Sequence, residues 1–172
     1  EKGLTPAQRG IALHLAMQYL SLDGDHSIRA IEKELAQLQE NGYLTPLQRE
    51  AVSPQRLAAF WQSPLGMELS TSRQCRREFK FSLLVPARDY YPSMEEEEIL
   101  LQGVIDVWFE GENGLTVLDF KTDRVRPGQE RAKAEEYRPQ LEAYGKALSQ
   151  ILGRKVKKTV LWFFETDTAV EI

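Results

Sequence analysis

Gly103-Val104-Ile105-Asp106-Val107-Trp108-Phe109, then Gly111-Glu112-Asn113-Gly114, then Leu115-Thr116-Val117-Leu118-Asp119-Phe120-Lys121 read as two strands and the tight turn between them. Val, Ile, Trp and Phe dominate the strands, and the Asn-Gly turn chemistry favours a hairpin. With the turn centred between Glu112 and Asn113, position 106 falls opposite about position 119. Two carboxylates then stand side by side inside an apolar ladder, within ~5 Å of each other. A carboxylate in such a place is costly unless it is paired or binds a cation. Lys121 lies two residues beyond Asp119, so its side chain leaves the same face of the strand. Oxygen donors without thiolates favour Mg²⁺, with Mn²⁺ able to substitute. Such a cation acidifies its bound water and polarises a phosphoryl oxygen, and a neighbouring lysine can orient the water or stabilise the developing charge. The bland alternative is a salt bridge between Lys121 and Asp119 or Asp106. Buried ion pairs add little net stability, so it explains the constellation poorly.

Working outward, Arg77 to Val85 alternates as a strand before this hairpin, and Gln129 to Leu152 reads as a long helix after it. Tyr137, Leu141, Tyr144 and Leu148 form a stripe on that helix, and Pro139 marks a kink or a new start within it. Val156 to Glu165 is a further strand, apolar enough at Val160–Phe164 to be central, and residues 166–172 suit a short edge strand. Residues 1–70 are helical. Thr5-Pro6, Ser27, Thr45-Pro46, Ser53-Pro54 and Ser63-Pro64 are start signals, and Asn41-Gly42 is a stop. On the first helix Ile11, Leu15 and Leu22 share one face, flanked by Leu13, Met17 and Leu20. The fold class is α/β: a central mixed sheet flanked by helices, its last pairing a crossover through the long helix. Residues 1–70 form an N-terminal helical layer and residues 71–172 the core.

The 172 residues suffice for one domain with a real core. No apolar run approaches the ~18 residues of a membrane span. The single cysteine, Cys75, excludes a disulfide framework and a cysteine-ligated iron–sulfur cluster, and suits a reducing, cytoplasmic setting. The net charge of −4 argues weakly against nucleic acid. Glu95 to Glu98 hold four of the acidic residues in one run, however. Basic residues gather at Arg73–Lys80, Arg124–Lys133 and Arg154–Lys158. The first two clusters can hold backbone phosphates, and Trp108, Tyr90 and Tyr91 are candidate platforms for stacked bases. His26 reads as a surface residue. The chain opens Glu1-Lys2-Gly3 without an initiator methionine, which points to an excised domain.

Asp106, the twelve residues after it, and Asp119-Phe120-Lys121 together resemble the Asp–(Asp/Glu)–x–Lys core of the PD-(D/E)XK nucleases. Three further stretches resemble the nuclease domains of RecB-type and AddA-type helicase–nucleases: Arg9-Gly10 followed by His14, Arg77-Glu78-Phe79, and Gln140 followed by Tyr144. The resemblance runs from residue 9 to residue 165. It implies that His14, Asp106, Asp119 and the carbonyl of Phe120 bind the metal, that Lys121 is the catalytic lysine, and that Gln140 and Tyr144 line the active-site groove. One metal is the default; a second would need another acidic ligand, for which Glu78 is a candidate. The lone cysteine departs from AddB-type relatives, which carry a cluster, and no Walker A pattern gives this chain an ATP site. The resemblance further implies an exonuclease acting on single-stranded DNA ends fed by helicase domains lying elsewhere in the same protein, an AddB-type partner, and a role in recombinational repair. The rivals are a stand-alone CRISPR-associated nuclease, which usually carries cluster cysteines, and a non-catalytic DNA-binding module with the same fold.

Overall fold

A computed structural model describes residues 3–172. Five helices come first: α1 (Pro6–Tyr19), α2 (Ile28–Glu40), α3 (Pro46–Ala51), α4 (Pro54–Gln62) and α5 (Pro64–Ser70). Every one begins where a Ser or Thr side chain accepts a hydrogen bond from the third helical N–H, and α1 and α3 close full capping boxes through Gln8 and Gln48. The strands β1 (Cys75–Pro86), β2 (Glu98–Gly111) and β3 (Gly114–Lys121) follow, then α6 (Glu130–Leu152), β4 (Val156–Phe163) and β5 (Thr168–Glu171). The single sheet has the order β1-β2-β3-β4-β5. Only β3 and β4 pair in parallel, with α6 as the crossover between them. The architecture is thus the mixed sheet flanked by helices that the alternating patterns predict. α6 continues through Pro139 without a break.

The hairpin register decides where the site lies. Gly111 pairs with Gly114 and Val107 with Leu118, so Asp106 and Asp119 occupy the next rung. One face of the sheet packs Val107, Phe109, Leu118, Phe120, Val160 and Trp162 against α1, α2, α4 and α5 in one continuous apolar cluster. The other face packs Ile105, Trp108, Val117 and Leu161 beneath α6.

One expected helix face is corrected. Ile11 is 56% exposed, and the buried side of α1 is Leu13, Ala16, Met17 and the following Leu20. On α2, Ile31 and Leu35 are buried but Ile28 is exposed. His26 stacks on Trp61 at 4.4 Å and bonds the carbonyl of Ser21, so it anchors the α1–α2 connection.

Candidate active site

The site is built from α1, the β2–β3 hairpin and α6. His14 sits mid-way along α1, its Nδ1 2.9 Å from the carbonyl of Gly10 one turn earlier. That contact holds the ring so that Nε2 points at the sheet, 3.2 Å from Asp106 Oδ2 and 3.0 Å from the carbonyl of Phe120. Asp106 Oδ2 in turn accepts the backbone N–H of Phe120 at 2.8 Å. Phe120 is therefore gripped at both backbone groups, and its ring is buried against Phe60 and Phe164. The close approach of α1 is possible because residue 10 is glycine: a Cβ there would lie 2.9 Å from Thr122 Oγ1.

Asp119 lies beside this trio, 6% exposed. Its Oδ2 is 2.7 Å from Lys121 Nζ, an ion pair whose two side chains are 9% and 14% exposed. Among the described residues that ammonium is the one group on this buried oxygen, and it meets it as an ion pair without hydrogen-bond alignment. The pair joins residues two apart on one strand, so it ties no two strands together and the salt-bridge alternative loses its structural rationale.

The charges here are strongly coupled. Burial pushes the Asp119 carboxyl up to about 6, helped by the neighbouring Asp106 charge and opposed by Lys121. Burial alone would keep the His14 ring neutral, yet its hydrogen bond and attraction to Asp106, with the Gly10 carbonyl and Asp119 behind, raise it to about 9.

No three His, Cys, Asp or Glu side chains among the described residues form a ready-made cage. The close set is instead two side chains and one backbone oxygen (His14 Nε2, Asp106 Oδ2 and the Phe120 carbonyl), with Asp119 adjoining. Two carboxylates, one backbone carbonyl, one imidazole and no thiolate suit a hard divalent cation. The buried, incompletely satisfied Asp119 oxygen fits the same group.

These are the positions that the sequence motifs single out. The family model described as the PD-(D/E)XK nuclease superfamily matches residues 1–171. The chain belongs to the PD-(D/E)XK nuclease superfamily. It is 40% identical over 171 residues to an ATP-dependent helicase/nuclease subunit of Desulforudis audaxviator, covering 98% of this chain and 14% of that protein. The corresponding subunit of a Thermoanaerobacter strain is 37% identical over 175 residues, again 14% of its length. That of Desulforamulus reducens is 36% identical over 175 residues. The chain thus spans about one-seventh of these relatives, 14% of the length of each.

Within this PD-(D/E)XK domain, Gln140 and Tyr144 stand one turn apart on α6, joined by a hydrogen bond from Gln140 Nε2 to the Tyr144 hydroxyl at 3.1 Å. Tyr144 packs edge-on to Phe81 and over Gly103, where a Cβ would come within 2.7 Å of its ring. Its hydroxyl is held above the ordinary tyrosine range chiefly by burial, with Asp119 and Asp106 contributing. Tyr144 is therefore within electrostatic reach of the carboxylate pair.

One neighbour, Tyr137, carries no signal in a strand or motif reading. Lys121 Nζ sits 3.8 Å from the centre of the Tyr137 ring, and the Tyr137 hydroxyl donates to Asp123 at 2.7 Å. Tyr137 lies three residues before Gln140 on the stripe shared with Tyr144, the one clue the sequence offered. Glu78 holds φ at +51°, a left-handed conformation rare for a side-chain-bearing residue. The β1–β2 register sets it opposite Asp106, and it lines the cavity shared by His14, Gln18 and Asp106.

Other expectations are corrected. Trp108 is 2% exposed and packs edge-on to Phe79 under α6, so it cannot stack on a base. Tyr90 and Tyr91 are not among the corrected: they lie in the connection from β1 to β2, beyond the short 3₁₀ turn Ala87–Asp89, and Tyr91 is 56% exposed. Arg77 turns inward and donates to the carbonyls of Met17 and Leu20 at the end of α1, a capping role rather than a phosphate contact. Lys133 pairs with Glu136, Arg154 with Glu110 and Lys158 with Glu68. These three basic residues are thus already neutralised.

Proposed function

We propose that this domain hydrolyses phosphodiester bonds of single-stranded DNA with one divalent cation, Mg²⁺ or in its place Mn²⁺. The observation that carries the proposal is the meeting of His14 Nε2 with Asp106 Oδ2 and the Phe120 carbonyl beside the Asp119–Lys121 pair. His14, Asp106, Asp119 and the Phe120 carbonyl hold the cation. When bound, it supplies an acidified water and polarises the phosphoryl oxygen.

The remaining work falls to the chain's own residues. Lys121, fixed between Asp119 and the Tyr137 ring, keeps its ammonium at the place where charge grows on the phosphorane. Asp119 orients that ammonium and accepts a hydrogen bond from the attacking water. Gln140 and Tyr144 form the α6 wall of the groove and keep the strand against the sheet. The backbone of Phe120, pinned by Asp106 and by its buried ring, gives the site its rigidity.

The relatives, named as subunits of ATP-dependent helicase/nucleases, support a wider reading. This domain is the nuclease part of such a protein, acting as an exonuclease on ends delivered by a motor located in other parts of it. It works in the cytoplasm with an AddB-like partner, in recombinational repair of DNA breaks. Among the described residues no helix is long and apolar enough to cross a membrane.

The test is cleavage of end-labelled single-stranded DNA in Mg²⁺ by the wild type and by Lys121→Ala, with an EDTA control. Cation-dependent cleavage that disappears in Lys121→Ala is the expected result. Cleavage that persists in the variant would remove Lys121 from the mechanism. If neither protein cleaves while the wild type binds Mn²⁺ and Asp119→Ala does not, the domain depends on its motor. If no Mn²⁺ binds, the non-catalytic reading replaces this one.

A further inference from the structure

We infer that the cleft beside the cation site, lined by Arg9, Arg56 and Arg124, binds the DNA backbone phosphate that adjoins the scissile one. This rests on the nuclease reading above. The cleft encloses about 500 Å³ between α1, α4 and the ends of β3 and β4, with Thr122 and Glu165 also on its walls. Gly10 and Thr122 belong both to this cleft and to the cavity holding His14 and Asp106. The two hollows therefore adjoin, and the shared Thr122 directly follows Lys121. A phosphodiester strand seated at the cation site has its next phosphate about 6–7 Å along, about two residues' reach of extended chain.

Three guanidinium groups line this cleft. The chain carries a net charge of −4, and from the basic clusters of the sequence Lys133, Arg154 and Lys158 are held in ion pairs while Arg77 caps α1. Arg9 and Arg124 are exposed, and neither has an ion-pair partner among the described residues. Arg56 is fixed, donating to the Phe164 carbonyl and lying 3.6 Å from Glu165. Its pairing with Glu165 leaves two uncompensated guanidinium groups converging from different elements. Guanidinium groups match phosphate geometry in a bidentate way and hold charge at any working pH.

The experiment is fluorescence anisotropy of a labelled single-stranded oligonucleotide with Ca²⁺ in place of Mg²⁺, read at several salt concentrations. It compares the wild type with Arg9→Ala/Arg124→Ala and with Arg29→Ala/Lys33→Ala on α2 as a matched loss of charge elsewhere. Each phosphate contact contributes about 0.7 to the slope of log K against log salt for a single strand. The cleft variant is expected to lose roughly ten-fold in affinity or more, with the slope shallower by about 0.7 to 1.4. Its Mn²⁺ affinity and melting temperature should match the wild type, and the Arg29/Lys33 control should change little. Arg9→Lys/Arg124→Lys should recover most of the salt slope. A cleft variant with wild-type affinity and slope overturns the inference and leaves the nuclease reading intact. Equal losses in both double variants overturn it in favour of diffuse attraction. A wild type that binds Mn²⁺ but no DNA at any salt overturns both.

Discussion

Lys121 shows how little of a site one strand can reveal. Alternation sets Asp106, Asp119 and Lys121 on one patch, and the hairpin turn fixes their rung; both are legible because side-chain direction in a strand has a period of two. The groups that restrain Lys121 come from α6, and no spacing rule ties residue 121 to residue 137. Tyr137 offers its ring to the ammonium at 3.8 Å. A partly desolvated contact of this kind contributes ~1–2 kcal/mol. Tyr137→Leu should therefore lower kcat about ten-fold with little change in KM. Tyr137→Phe, which keeps the ring and only releases Asp123, should retain most of the activity; single-turnover cleavage of short oligonucleotides distinguishes the two. Glu78 is another residue whose meaning appears only in three dimensions. Its left-handed backbone costs on the order of 1 kcal/mol, so Glu78→Gly should raise the melting temperature in EDTA while weakening Mn²⁺ binding, as calorimetry would show. A variant that melts lower would mean that contacts of the Glu78 side chain outweigh the strain.

At the scale of elements, the starts of α1 to α5 were readable because Ser or Thr caps, followed by proline in all but α2, are local chemistry. The buried face of α1 was not. Ile11, Leu13, Leu15 and Met17 surround that helix with apolar residues, and a helix that is apolar nearly all round does not declare which side meets the sheet. The choice is made by the sheet, through the close approach at Gly10 and the reach of His14 to Asp106. The long helix α6 was easier, since Leu141 and Leu148 mark one stripe and both are fully buried. Its position over β2 depends on Gly103. A Cβ at that position would lie 2.7 Å from the Tyr144 ring and 2.9 Å from Phe81, two rigid aromatics with no room to turn. Gly103→Ala should cost about 1–3 kcal/mol by overpacking, and should lower activity by displacing Tyr144. In Gly103→Ala/Tyr144→Leu the smaller side chain accepts the methyl group. The double variant should then be more stable than the sum of the single changes requires, by at least ~0.5 kcal/mol in denaturant titrations. Strict additivity would mean that the clash is relieved by a shift of the backbone instead.

At the scale of the whole molecule, the topology followed from the order of patterns, because a helix between two apolar strands admits few connections. The charge distribution did not follow from counting. Glu95 to Glu97 lie just before β2 and Glu98 begins it, about 26 Å along the strand from Asp106 at ~3.3 Å per residue. The negative sum therefore says little about the groove. What the groove does to stability is testable through protons. The His14 ring has its pKa raised from 6.5 to about 9. Its contribution is therefore complete below the unfolded value near 6.5 and is lost as pH rises through 9. Asp119, raised from 3.8 to about 6, acts in the same direction at lower pH, since the folded chain holds that proton more tightly. In EDTA the wild type should become less stable relative to His14→Gln as pH goes from 6 to 9. The relative loss is on the order of 1 kcal/mol, reduced from the full linkage value because the ring is 34% exposed. That corresponds to about 2–4 °C for a domain of this size. Saturating Mn²⁺ should reverse the trend, because the cation competes with these protons and binds better as they leave. At a hundred times its Kd it should add about 2.7 kcal/mol. A melting temperature in EDTA that rises from pH 6 to pH 9 equally in both proteins would show that the His14–Asp106 contact does not hold a proton. The cation site would then have to be sought without His14.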